Sequence, residues 1–235
     1  MAGGMIFERR EKKYLLDGTA KARLLALAGN RLTEDAYPRE TIASLYLDTP
    51  DRRVIRASID ASNYKEKLRL RSYGIPQDDS PVFVEIKKKY NGVVNKRRIE
   101  MQYAKAVEFL AGKFVPDQHP QIEKEIEWVL RFYTPVPKCI VAYDRIAYVC
   151  DEHPDLRVTF DESIRCRDTE LDLRLGTHGE LLLPDGECIM EIKADGAIPL
   201  WFVRKLSEMK IYKTSFSKYG TYYLRKLKER ESEEK

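Results

Sequence analysis

The chain has 235 residues, enough to bury one sizeable core or to build a barrel with helical additions. Its 42 Lys and Arg against 38 Asp and Glu leave a net charge of only +4, which excludes a generally nucleic-acid-coating protein and means that any functional basic patch comes from local arrangement. No stretch approaches the roughly 18 apolar residues that cross a bilayer, and the first eight residues lack the apolar core of a signal peptide, so the expectation is a soluble, cytoplasmic protein.

Period-two alternation dominates the chain and places alternate side chains on opposite faces of short strands. The first predicted strand covers 7–16, with Arg9, Glu11 and Lys13 on one face. A helix follows over 19–28, then strands over 41–48 and 64–73; in the second of these Lys67, Arg69 and Arg71 share a face and Leu68 and Leu70 the other. The strand over 81–90 sets Glu85, Lys87 and Lys89 together with Val84 and Ile86 behind them. The turn signal Tyr90-Asn91-Gly92 leads into a strand over 93–101 bearing Lys96, Arg98 and Glu100. Helices over 104–110 and 121–132 come next, the latter with Ile122, Ile126, Val129 and Leu130 at core-packing spacing. Strands over 139–150, 156–164 and 179–183 precede the turn Pro184-Asp185-Gly186, and a strand over 188–194 pairs Glu191 with Lys193 on one face. The chain closes with helices over 200–210 and about 215–230 and a charged tail that reads as frayed. No repeat, low-complexity segment or linker divides it, so one domain over 1–235 is expected.

Several chemistries are missing. There is no G-x-x-x-x-G-K-[ST] loop and no G-x-G-x-x-G after a strand, which removes the P-loop and dinucleotide-fold routes to a nucleotide. Cys139, Cys150, Cys166 and Cys188 are widely spaced and read as buried thiols rather than zinc ligands or disulfides. His119, His153 and His178 lie beside turns and read as surface residues.

The bias of the polar faces carries the functional reading. Like charges opposite one another on neighbouring strands repel, and five such strands point to an anion that cancels the repulsion. The expected fold is α+β: a closed antiparallel barrel with a basic interior, its apolar faces packed on surrounding helices. Polyphosphate suits that interior because Arg binds phosphate oxygens bidentately and Lys binds them as a point charge. Glu11, Glu85, Glu100 and Glu191 either pair with neighbouring cations or bridge to phosphate through a divalent metal.

These strands resemble the VTC domain, the polyphosphate polymerase module within the triphosphate tunnel metalloenzyme (CYTH-like) superfamily. The resemblance rests on Arg9-x-Glu11-x-Lys13-Tyr14, Ser44-Leu45-Tyr46-Leu47-Asp48-Thr49, Lys67-Leu68-Arg69-Leu70-Arg71-Ser72-Tyr73-Gly74 and Phe83-Val84-Glu85-Ile86-Lys87. It continues through Tyr143-Asp144-Arg145, Arg157-Val158-Thr159-Phe160-Asp161, Met190-Glu191-Ile192-Lys193 and Ser215-Phe216-Ser217-Lys218-Tyr219. The resemblance implies an eight-stranded tunnel with a C-terminal helix at one mouth, binding ATP and polyphosphate or triphosphate with Mn²⁺ or Mg²⁺. It implies catalytic roles for Lys13, Arg69, Arg71, Lys87, Arg145 and Lys193. Tyr46, Lys67, Lys89, Lys96, Arg98, Arg157, Ser217 and Lys218 would bind substrate, and Glu191 would hold the metal, with Glu85 and Glu11 as weaker candidates. Asp161 would orient a second metal or an arginine. Arg9 stands where hydrolytic members carry the first glutamate of E-x-E-x-K, which tilts the reading from triphosphatase towards transfer of the terminal phosphate of ATP to a growing polyphosphate chain. A triphosphatase on the same fold, a non-catalytic polyphosphate-binding module and a basic β-sheet RNA binder are the alternatives.

Overall fold

The computed structural model describes residues 9–60, 63–91, 93–113 and 120–233. It is α+β, with six helices and, among the described residues, ten strands whose recorded pairings are all antiparallel. Eight strands have eight residues or more: β1 (Arg9–Leu16), β2 (Thr33–Asp48), β3 (Tyr64–Tyr73), β4 (Pro81–Tyr90), β5 (Val93–Gln102), β6 (Val136–Val149), β7 (Arg157–Arg167) and β9 (Cys188–Asp195). The other two, β8 (Glu180–Leu181) and β10 (Lys213–Thr214), have two residues each. The helices are α1 (Gly18–Ala28), α2 (Arg53–Ile59), α3 (Tyr103–Leu110), α4 (Pro120–Tyr133), α5 (Leu200–Glu208) and α6 (Lys218–Glu233). Among the described residues no helix is long and apolar enough to cross a membrane.

The chain divides into two compact units, each with its own core. The first comprises Met1–Glu40, Tyr143–Ile164 and Leu183–Phe216, and its strands follow the order β10-β1-β9-β7. Strand register explains its core: Tyr14, Met190 and Phe160 face one another across β1, β9 and β7 on the apolar side, where Leu24 and Ala28 of α1 and Phe202 and Leu206 of α5 cover them. The intervening residues therefore project from the other side, Lys13, Glu191 and Thr159 in one row and Glu11, Lys193 and Arg157 in the next. Helix α1 begins where the Asp17 carboxylate accepts from the Ala20 amide at 2.7 Å.

The second unit comprises Thr41–Ala142, Arg165–Leu182 and Ser217–Lys235 and carries the order β2-β3-β4-β5. Leu45, Leu70, Val84 and Ile99 form an apolar row against Phe109 of α3 and Ile126 and Val129 of α4. Tyr46, Arg69, Glu85 and Arg98 form a polar row on the opposite face, and Lys67, Lys87 and Lys96 another. On the helix-covered side Lys88 and Arg97 pair with Glu125 of α4 at 3.3 and 2.5 Å.

A closed eight-stranded barrel was the expectation, and the hydrogen bonding departs from it in two ways. The strands number ten, and among the described residues the order ends openly at β10 in one unit and at β5 in the other. A two-residue strand and a strand bearing Lys96, Arg97 and Arg98 are both poor templates for further pairing.

Candidate functional site

In the first unit the site is built around Glu191, buried on β9. Lys13 Nζ lies 3.2 Å from Oε1, while Arg145 Nη2 and Lys193 Nζ lie 3.4 and 3.6 Å from Oε2. Lys13 is also 3.5 Å from Glu11 and donates to the Phe216 carbonyl at 3.1 Å. Arg145 is fixed from behind: its Nε and Nη2 donate to the two oxygens of fully buried Asp161 at 2.6 and 2.8 Å. Of the two roles expected of Asp161, the contact with an arginine is the one present here. Burial pushes the Lys193 ammonium down in pKa despite Glu191 beside it. Burial also works against the Arg145 charge, yet Tyr143, Asp161 and Glu191 together hold it firmly protonated. Arg157 stands apart; it is exposed and pairs with Asp35 at 2.7 Å.

In the second unit the centre is Glu85, with 1 % of its side chain exposed. Arg69 grips Oε2 through Nε at 2.7 Å and Nη2 at 2.6 Å, Lys96 reaches Oε1 at 2.7 Å, and Arg71 Nε stands 3.8 Å from Oε2. Burial alone would raise the Glu85 carboxyl, but Arg69, Arg71 and Lys96 outweigh it and hold the pKa at about 2. Desolvation beside buried Glu85 lowers the Lys96 ammonium to about 8, although 40 % of the side chain is exposed, against the pull of Glu85 and with help from Arg71. Arg69 also donates to the Tyr46 hydroxyl at 3.0 Å, and Arg71 to Ser44 at 3.4 Å. Burial raises the Tyr46 phenol, yet Arg69, Lys67 and Arg71 bring it below its ordinary value.

The N-terminus of α6 completes this second cluster. Tyr46 stacks on Tyr219 at 5.1 Å, Tyr219 donates to Asp48 at 3.1 Å, and Lys67 donates to Ser217 Oγ at 2.9 Å. Lys218 is buried beside them in sequence. Lys87 lies between Lys67 and Lys96 in register, whereas Lys89 and Arg98 are exposed, Arg98 over the Phe83 ring at 4.4 Å. The Arg9 side chain and His119 lie outside the described residues.

The two glutamates differ as metal ligands. Charge-assisted hydrogen bonds run at about 2.7–2.9 Å, and Glu85 has cations that close on both oxygens, Arg69 on Oε2 and Lys96 at 2.7 Å from Oε1. Around Glu191 the cations Lys13, Arg145 and Lys193 stand at 3.2–3.6 Å. Among the described residues no three His, Cys, Asp or Glu side chains gather to hold a metal alone. Mg²⁺ commonly needs only one or two carboxylates when phosphates supply the rest, and Glu191, with Glu11 on the far side of Lys13, fits that pattern. Sequence reasoning missed Thr159, whose buried Oγ1 makes no hydrogen bond among the described residues although it stands opposite Glu191.

A family model described as the VTC domain matches residues 8–225. No curated protein matches the chain. Among solved structures, a candidate adenylate cyclase from Bacillus halodurans is similar in fold at 13% identity, covering 90% of this chain and 94% of that one, with a TM-score of 0.53. A candidate adenylyl cyclase from Hippeastrum, described as having a dominant triphosphatase activity, aligns at 15% identity over 91% of this chain and 94% of its own, with a TM-score of 0.47.

Proposed function

This chain belongs to the VTC domain family, and we propose that it is a polyphosphate polymerase, acting as one domain over 1–235 and moving the terminal phosphate of ATP onto a polyphosphate chain in the cytoplasm. The observation that carries this reading is the gathering of phosphate-binding cations around two buried glutamates, Glu191 and Glu85. Lys13, Arg145 and Lys193 surround Glu191; Arg69, Arg71 and Lys96 surround Glu85. Hydrolysis needs a base to take a proton from water, and Glu85, held at a pKa of about 2, is a poor one. A phosphate acceptor arrives already deprotonated and needs none.

The protein's part in the reaction is positioning and charge neutralisation. Arg145, held by Asp161, presents a fixed guanidinium to phosphate oxygens, while Lys13 and Lys193 swing from Glu191 to the incoming anion. In the second unit Glu85 preorganises Arg69, and Lys67 and Lys87 continue the cationic face of its own strands, where phosphate oxygens would bind. Glu191 and Glu11 would hold a divalent cation such as Mn²⁺ or Mg²⁺, which would supply neutralisation of the charge that develops on phosphate oxygens.

Incubation with ATP and Mn²⁺ followed by gel separation tests the proposal. Long polyphosphate with stoichiometric ADP is expected, and Glu191→Gln abolishes metal-dependent turnover while leaving metal-independent tripolyphosphate binding. Orthophosphate as the sole product would instead establish a triphosphatase, and binding without turnover a sensing module.

A further inference from the structure

Thr159 on β7 is 2 % exposed, and its Oγ1 is buried without a hydrogen bond among the described residues. Register places it directly opposite Glu191, and Glu191 directly opposite Lys13, so hydroxyl, carboxylate and ammonium project from one face in one row. Neighbouring Cβ atoms in such a row stand about 5 Å apart. The next row brings Glu11, Lys193 and Arg157 to the same face.

A buried hydroxyl without a partner is unfavourable. Valine has nearly the same shape, suits a strand at least as well, and carries no such penalty. Packing alone therefore gives no reason for threonine here. Nor does the hydroxyl serve Glu191, whose Oε1 faces Lys13 and whose Oε2 faces Arg145 and Lys193. A phosphate oxygen drawn in by those cations can accept from the hydroxyl as well, because each phosphate offers several acceptor positions.

We propose that Thr159 Oγ1 donates a hydrogen bond to a phosphate oxygen held beside Glu191, making Thr159 the neutral member of a phosphate subsite with Lys13, Arg145 and Lys193. This rests on the phosphate-binding reading of the site. Thr159 is a binding residue whose contribution appears only when the anion is present, which separates it from a residue that merely packs.

The test compares wild type, Thr159→Val and Thr159→Ser in two measurements: urea unfolding without ligand, and calorimetric binding of tripolyphosphate with and without Mn²⁺. Thr159→Val is expected to unfold at the same or a higher urea concentration than wild type, yet to bind tripolyphosphate roughly tenfold more weakly in both conditions. Thr159→Ser restores binding. Unchanged affinity in Thr159→Val overturns the proposal, as does a loss confined to Mn²⁺, which would place the hydroxyl on the metal. A ligand-free destabilisation that accounts for the affinity loss would assign Thr159 a purely structural role. Failure of wild type to bind tripolyphosphate would overturn the phosphate-binding reading itself, whereas wild-type binding with an indifferent Thr159→Val sinks only the subsite.

Discussion

Replacing Glu85 by Gln keeps the shape of the side chain and removes the charge on which Arg69 and Lys96 close at 2.6–2.7 Å and which Arg71 approaches at 3.8 Å. Two routes give the magnitude. Breaking a buried ion pair by deleting one partner costs about 3–5 kcal/mol. Independently, the Glu85 carboxyl falls from an ordinary 4.5 to about 2 on folding, and at about 1.4 kcal/mol per unit this corresponds to about 3 kcal/mol of stability at neutral pH. The folded value lies below the unfolded one, so this contribution is fully present above pH 4.5 and is lost as pH falls towards about 2. Urea unfolding followed by circular dichroism should show Glu85→Gln about 3 kcal/mol less stable than wild type at pH 7, with the gap narrowing to about 2 kcal/mol at pH 3.5. Tripolyphosphate should then stabilise the variant more than wild type, because the ligand's charge replaces the missing one. A gap below about 1 kcal/mol at pH 7, or one that does not change with pH, would refute the counter-ion role.

Three further outcomes follow from the same geometry. Because the Lys96 ammonium is lost as pH rises through about 8, tripolyphosphate affinity should weaken between pH 7 and 9, and Lys96→Arg, which stays charged, should flatten that profile in isothermal titration. Asp161→Asn removes half of the two-point hold on Arg145; it should cost about 3 kcal/mol of stability and weaken ATP binding by more than Arg157→Ala does, since Arg157 is exposed and paired elsewhere. Gly179→Ala should destabilise the fold by about 2 kcal/mol or more, because a Cβ there would lie 2.6 Å from the Cys166 carbonyl oxygen and 2.8 Å from its carbon, as a shift in thermal midpoint would show.

Alternation was enough to place Lys67, Arg69 and Arg71 on one face and Glu85 and Lys87 beside them, because a strand has only two faces and Leu68, Leu70, Val84 and Ile86 claim the covered one. Where burial did not impose a pattern, the reading stopped short. β2 begins at Thr33 rather than near 41, since its first eight residues are exposed or half-buried and carry no apolar rhythm. Helix α2 was not foreseen because its caps are unusual: Arg52 before it is left-handed at φ 60°, and its first amides are satisfied by Asp48 and Thr49, several residues upstream. The contact of Lys67 with Ser217 spans 150 residues of sequence and no local pattern announces it. Thr159 looked like an ordinary strand residue, and only its unpaired hydroxyl opposite Glu191 distinguishes it.

The two buried glutamates share a local sequence, Val84-Glu85-Ile86-Lys87 and Met190-Glu191-Ile192-Lys193, and differ in what faces them. Glu85 stands opposite Arg69 on one side and Arg98 on the other. Arg69 closes on one of its oxygens, Oε2, through both Nε and Nη2, and Lys96 stands at the other. Glu191 stands opposite Lys13 and Thr159, neither of which carries a guanidinium, and its one arginine is committed to Asp161. Cross-strand register therefore turns the same Glu-Ile-Lys segment into two devices. In the second unit the carboxylate is a fixed counter-ion that stiffens the arginines around it. In the first, Lys13, Arg145 and Lys193 stand 3.2–3.6 Å from the carboxylate, and on the proposed function they are the cations that an incoming phosphate takes over.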